Sequence, residues 1–116
     1  MARRGNKYGA KKTIVDGIKF DSGLEARRWM QLKLLESAGH ISSLRRQVVI
    51  FLQGRNGPLL TRTGRKMRLT VDFSYIDLRT GKMVHEDAKG APTRDYDVRR
   101  SVAAAQGIDI VEIKKA

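Results

Sequence analysis

Met83-Val84-His85-Glu86-Asp87-Ala88-Lys89-Gly90 and, upstream of it, Val71-Asp72-Phe73 are the stretches around which the chain is organised. In a strongly basic chain, three acids and a lysine gather inside two short apolar segments with strand-like alternation. Successive side chains of a strand point to opposite faces. Met83, His85, Asp87 and Lys89 therefore share one side, and Val84, Glu86 and Ala88 take the other. Asp72 interrupts the row Met67, Leu69, Val71, Phe73 and Tyr75 and points away from its apolar face. If the two strands pair through a turn at residues 77–81, Asp72 and Asp87 stand side by side. Like charges so placed repel unless a cation joins them, and the pattern predicts a divalent-metal site.

At 116 residues the chain is expected to form one domain that buries about two-thirds of its unfolded surface without staples. A hydrophobic content of 41% supplies a core. There is no cysteine, which removes disulfides, thiolate catalysis and cysteine-ligated zinc. Residues 1–12 are basic but carry no apolar run, so no signal peptide is expected, and no window suggests a membrane span. A soluble, cytoplasmic protein is the expectation. The net charge of +12, from 24 Lys and Arg against 12 Asp and Glu, draws polyanions and points to nucleic acid rather than membrane.

Residues 1–12 read as a flexible basic arm, followed by one domain over 13–116. Residues 13–20 form a hairpin with Asp16-Gly17 at its turn. Ser22, with Glu25 three residues on, is a capping box opening a helix over 23–38, and Gly39 stops it. An apolar run at 47–52 predicts a buried strand, and 53–66 an extended basic loop or hairpin tip. Strands at 67–76 and 82–89, a helix over 94–106 and a last strand at 108–113 complete the chain. The order implies a mixed sheet flanked by helices, an α/β or α+β fold.

Magnesium prefers carboxylate oxygens and water, with one or two protein carboxylates and a substrate phosphate in its shell. Asp72 and Asp87 suit that role, and Glu25 at a helix start can add a further ligand, direct or through water. Lys89 beside such an ion can orient an attacking water or stabilise the pentacovalent phosphate. A carboxylate trio with a lysine, on a chain of this charge, points to phosphodiester hydrolysis. Each residue also has a plainer reading. Asp72 can be a hairpin-face acid paired with an arginine, Asp87 and Lys89 a surface ion pair, and Glu25 the acid of its capping box. His85 can be a packed strand histidine, and Glu86 an edge acid or the partner of a nearby basic residue.

The chain resembles the PD-(D/E)XK nuclease superfamily, whose core is αβββαβ and whose site is an acid followed by (D/E)-x-K. Thr70-Val71-Asp72-Phe73 stands where that family has its Pro-Asp, with Val71 replacing the proline, and Asp87-Ala88-Lys89 stands as (D/E)-x-K. Glu25, in Phe20-Asp21-Ser22-Gly23-Leu24-Glu25-Ala26, takes the place of the first-helix glutamate. Arg46-Gln47 before an apolar strand, and Thr93 and Tyr96 after the lysine, are similar to small phage-encoded members akin to Holliday-junction resolvases.

The resemblance implies a restriction-endonuclease-like core and a Mg2+-dependent DNA endonuclease, with Mn2+ able to substitute. It implies that Asp72, Asp87, the Ala88 carbonyl and Glu25 hold the metal, and that Lys89 orients water for in-line attack leaving a 5′-phosphate. Thr93 and Tyr96 would touch substrate, against the plainer reading of a helix-start residue and a core aromatic. Arg55, Arg62, Arg65, Lys66 and Arg68 would contact the DNA backbone without reading sequence. Structure-selective cutting of branched DNA in phage recombination, by a homodimer, follows from the same likeness. The alternative is a non-catalytic basic nucleic-acid-binding protein whose acids are structural.

Overall fold

The structure, a computed structural model, describes residues 12–88 and 93–116. The expected arm, apart from Lys12, and Lys89 therefore lie outside the described residues. A hairpin of β1 (Thr13–Val15) and β2 (Ile18–Phe20) comes first. Its turn has positive φ at both central residues, 51° at Asp16 and 78° at Gly17, the geometry whose twist matches paired strands.

Helix α1 (Gly23–Ser37) begins where Ser22 Oγ accepts the Glu25 N–H at 3.1 Å. It ends at Gly39 (φ 82°), where the His40 N–H donates to the Leu35 carbonyl and the Gly39 N–H to that of Glu36, satisfying the last carbonyls. Strand β3 (Ile41–Phe51) follows, then a small hairpin of β4 (Gln53–Gly54) and β5 (Gly57–Pro58). β6 (Arg68–Asp77), β7 (Lys82–Ala88), helix α2 (Arg94–Ala105) and β8 (Ile110–Ile113) complete the fold.

The main sheet has the order β3-β6-β7-β8. β3, β6 and β7 pair antiparallel, and β8 returns parallel to β7 after α2. The fold is mixed α+β, as the element order implied. The strand expected at 47–52 starts earlier, at Ile41, and has a register shift between Ser42 and Arg45. It is a sheet edge and not a buried strand: Val49 and Phe51 keep 41% and 45% of their surface exposed while Ile50 and Leu52 are buried. The basic loop is organised by β4 and β5 and by a bridge between Leu60 and Lys66.

Two cores hold the elements. Around α1, Phe20, Ala26, Trp29, Leu32, Ile41, Phe73 and Tyr75 pack together. Around α2, Ile50, Leu52, Leu69, Val71, Tyr96 and Ala103 do so. The alternating row of β6, expected to share one apolar face, is thus divided at Asp72. The registered pairs of β3 and β6 pass from Arg46–Phe73 to Val48–Val71 and skip Gln47–Asp72. Val84 packs with the α1 core, whereas Ile110, in register with His85 on the other face of β7, packs with the α2 core. A helix therefore covers each face at that edge. Among the described residues, no helix is long and apolar enough to cross a membrane.

Candidate active site

The β6–β7 ladder runs from Asp77–Lys82 to Phe73–Glu86 and stops there. Beyond it, side chains replace carbonyls as acceptors. The Asp72 N–H donates to Asp87 Oδ1 at 3.0 Å, and the Ala88 N–H donates to Asp72 Oδ2 at 2.8 Å. Two strands that part company are thus held together by the two acids expected to meet. Asp87 is buried and Asp72 half-buried. Burial first, then the neighbouring Asp87 charge, push the Asp72 carboxyl up to about 8; the Ala88 N–H pulls the other way, and Glu25 raises it further.

Glu25, 4% exposed, serves two purposes at once. Its Oε1 accepts the Asp21 N–H at 3.3 Å and completes the helix cap, while Oε2 accepts from Gln47 Nε2 at 3.3 Å. The same nitrogen lies 3.4 Å from Asp72 Oδ1. Burial raises the Glu25 pKa; the Asp21 N–H and Arg46 lower it, and the Asp21 and Asp87 charges raise it. The capping and site readings of Glu25 are compatible because each uses a different oxygen. Glu25, Asp72 and Asp87 are therefore brought together.

Among the described residues, no group of three or more His, Cys, Asp and Glu side chains is arranged as a metal centre. Glu25 is joined to Asp72 through Gln47, whose Nε2 faces both carboxylates. Two carboxylates still fit a hard divalent ion, whose shell can be completed by water and phosphate.

Arg46 and Gln47 are the site residues that pattern reading passed over. The Arg46 guanidinium lies 4.6 Å over the Phe20 ring and 4.0 Å from Glu25 Oε2. The available signal was a polar pair set against an apolar strand, quoted above only for its likeness. The left-handed φ of Gln47 left no trace in residue type.

The other expected residues are placed as follows. Thr93 is the N-cap of α2, its Oγ1 accepting the Tyr96 N–H at 3.1 Å. Tyr96 is 7% exposed, in the α2 core rather than on the surface, and its hydroxyl donates to Glu112 Oε2 at 3.0 Å. Its apolar ring among Leu69, Val71 and Ala103 is the reason. Arg55, Arg62, Arg65, Lys66 and Arg68 are all exposed. His85, half-buried, has Nδ1 2.6 Å from Ser74 Oγ, and burial with Arg45 lowers its pKa, which favours the neutral ring. Glu86 finds its basic partner in Arg28, with Nε at 2.8 Å and Nη2 at 2.7 Å, and accepts the Tyr75 hydroxyl as well.

The family described as a protein of unknown function (DUF1064) matches residues 5–114. No curated protein and no solved structure matches the chain.

Proposed function

The chain belongs to the DUF1064 family, and we propose that it is a metal-dependent DNA endonuclease with a restriction-endonuclease-like core, hydrolysing phosphodiester bonds in branched or distorted duplexes. The observation that carries the reading is the pair of bonds from the Asp72 N–H to Asp87 and from the Ala88 N–H to Asp72, past the end of the β6–β7 ladder and beside a buried Glu25. Each of these acids accepts a backbone N–H, yet like charges gathered in one place cost stability beyond that use. A cation among them would relieve the repulsion.

Asp72 and Asp87, with the Ala88 carbonyl, would hold Mg2+ or Mn2+. Such an ion, when bound, supplies Lewis acidity toward phosphate and lowers the pKa of attached water. The protein's own part is to hold the two carboxylates at fixed places through backbone N–H groups, so that little reorganisation accompanies reaction. Lys89 is two residues past Asp87 in the sequence; its role as the cation that orients water rests on the D-x-K pattern. Arg55, Arg62, Arg65, Lys66 and Arg68, exposed and without an acid among residues 53–68, would take the DNA backbone and act by shape. A homodimer would cut two strands symmetrically, and phage DNA recombination is the setting the resemblance suggests.

The second reading, a binding module whose acids are structural, draws on the acceptance of backbone N–H groups by both aspartates. Incubation of the protein and its Asp87→Asn variant with Mg2+ or Mn2+ and linear, flapped and four-way DNA separates the two. Cleavage by the wild type and none by the variant is expected. Binding of branched DNA without cutting in either ion establishes the binding module instead.

A further inference from the structure

Among the described residues, three that are not glycine have positive φ: Asp16, Ser43 and Gln47. Asp16 is in a hairpin turn, and Ser43 is in the register shift between Ser42 and Arg45. Gln47 is neither. It lies within β3 with φ 50°, opposite Asp72, at the place the registered pairs omit. A residue with a Cβ takes that conformation at a cost, and the cost persists where the surroundings impose it, often at a functional site.

What the conformation accompanies is a bridge. Gln47 Nε2 stands 3.3 Å from Glu25 Oε2 and 3.4 Å from Asp72 Oδ1, so one amide nitrogen, with two hydrogens, faces two carboxylates on different elements. The choice of an amide has a chemical reason. A lysine there would neutralise the acids and compete with a cation. A glutamate would add a further like charge. An amide orders the carboxylates and leaves their charge in place. Gln47 is exposed, whereas Glu25 and Asp87 are buried.

We infer that Gln47 is a positioning residue for a divalent cation, holding Glu25 and Asp72 in place before the ion arrives; the inference rests on the metal-dependent reading above. It acts through the carboxylates and touches no reacting atom. Hydrogen-bond partners of ligating carboxylates typically matter about tenfold or more for metal affinity.

The test is calorimetric titration of Mn2+ alone into the full chain as wild type, Gln47→Ala and Gln47→Gly, with melting temperatures for each. Both variants are expected to bind Mn2+ about tenfold more weakly or worse. The glycine variant, free of the left-handed strain, is expected to melt no lower than wild type, which separates loss of ion from loss of fold. Either variant binding Mn2+ as tightly as wild type overturns the inference. So does a glycine variant whose weaker binding comes with a lower melting temperature. A wild type that binds no Mn2+ overturns both the inference and the reading beneath it, whereas one that binds Mn2+ and cuts no DNA defeats the nuclease reading separately.

Discussion

The Asp72 N–H donates to Asp87 Oδ1 at 3.0 Å, one residue past the last pair of the ladder that joins their strands. The bond fixes one acid by the backbone of the other, and the Ala88 N–H fixes Asp72 in return. Each carboxylate is therefore held by a main-chain N–H, and Asp72 by the Gln47 amide as well. The placement keeps two like charges together, and the following expectations derive from that tension and from its surroundings.

Asp87→Asn keeps an oxygen able to accept the Asp72 N–H and removes the charge. It should fold within about 1 kcal/mol of wild type and bind DNA comparably, while Mg2+-dependent cleavage falls below detection. Lys89→Ala should do the same. Urea denaturation, DNA binding and a cleavage assay on each variant check this, and retained cleavage in either removes that residue from the chemistry.

Without divalent ions, stability should fall as pH rises. The Asp72 pKa is raised from 3.8 to about 8 in the folded chain, so the native state holds a proton that the unfolded state has released over that interval. Stability from this group is full below the unfolded value and is lost as pH climbs through the folded one, by up to about 1.4 kcal/mol per pH unit. His85 works the other way at lower pH, since its pKa is lowered from 6.5, so the clean window is about pH 7 to 8. Melting curves in chelator should show the decline, and Asp72→Asn or added Mg2+ should flatten it. A level or rising wild-type trend there would contradict the account.

The Arg28–Glu86 pair ties α1, which carries Glu25, to β7, which carries Asp87. Glu86 is 2% exposed on its side chain and Arg28 20%. Removing one partner leaves the other buried and uncompensated, so Arg28→Ala should cost about 3 kcal/mol. Arg28→Met with Glu86→Leu should cost less than Arg28→Ala despite changing more atoms, as read by urea midpoints. A double variant as unstable as the single one would assign the energy to packing instead.

Arg62 and Arg65 lie in the loop closed by the Leu60–Lys66 bridge. If both touch phosphates, Arg62→Ala with Arg65→Ala should lower the slope of log affinity against log salt by about two, since each contact contributes about 0.9. Titrations of one DNA at several salt concentrations decide it, and an unchanged slope takes the loop out of the interface.

Thr93 caps α2, so Thr93→Ala should destabilise by about 1 kcal/mol, whereas Thr93→Asp keeps a capping oxygen and the fold. If a phosphate sits at this helix start, the added charge should also weaken DNA binding. Equal DNA affinity of wild type and Thr93→Asp would leave Thr93 a cap and nothing more.

The elements were readable because their signals are local. Asp16-Gly17 marks a turn wherever it stands between strand residues, Ser22 and Glu25 mark a helix start, and the alternation of β6 and β7 marks strands. The face on which each residue of β6 packs was not local. Leu69 and Val71 join one core and Phe73 and Tyr75 another, and the division falls at Asp72, where the β3–β6 ladder omits the Gln47–Asp72 pair. Tyr96 shows the same limit: whether an aromatic at a helix start meets solvent or core depends on what packs against it.

From residue types came the acids, the basic excess and the order of helices and strands, since charge and hydrophobic period are properties of a short window. The tertiary structure decided by what means the expected acids meet. The backbone N–H bonds to Asp72 and Asp87, the two-sided use of Glu25 and the bridge from a left-handed Gln47 require backbone groups from separate strands and a helix to converge. Convergence of that kind is set by packing over long separations, and no window of the chain encodes it.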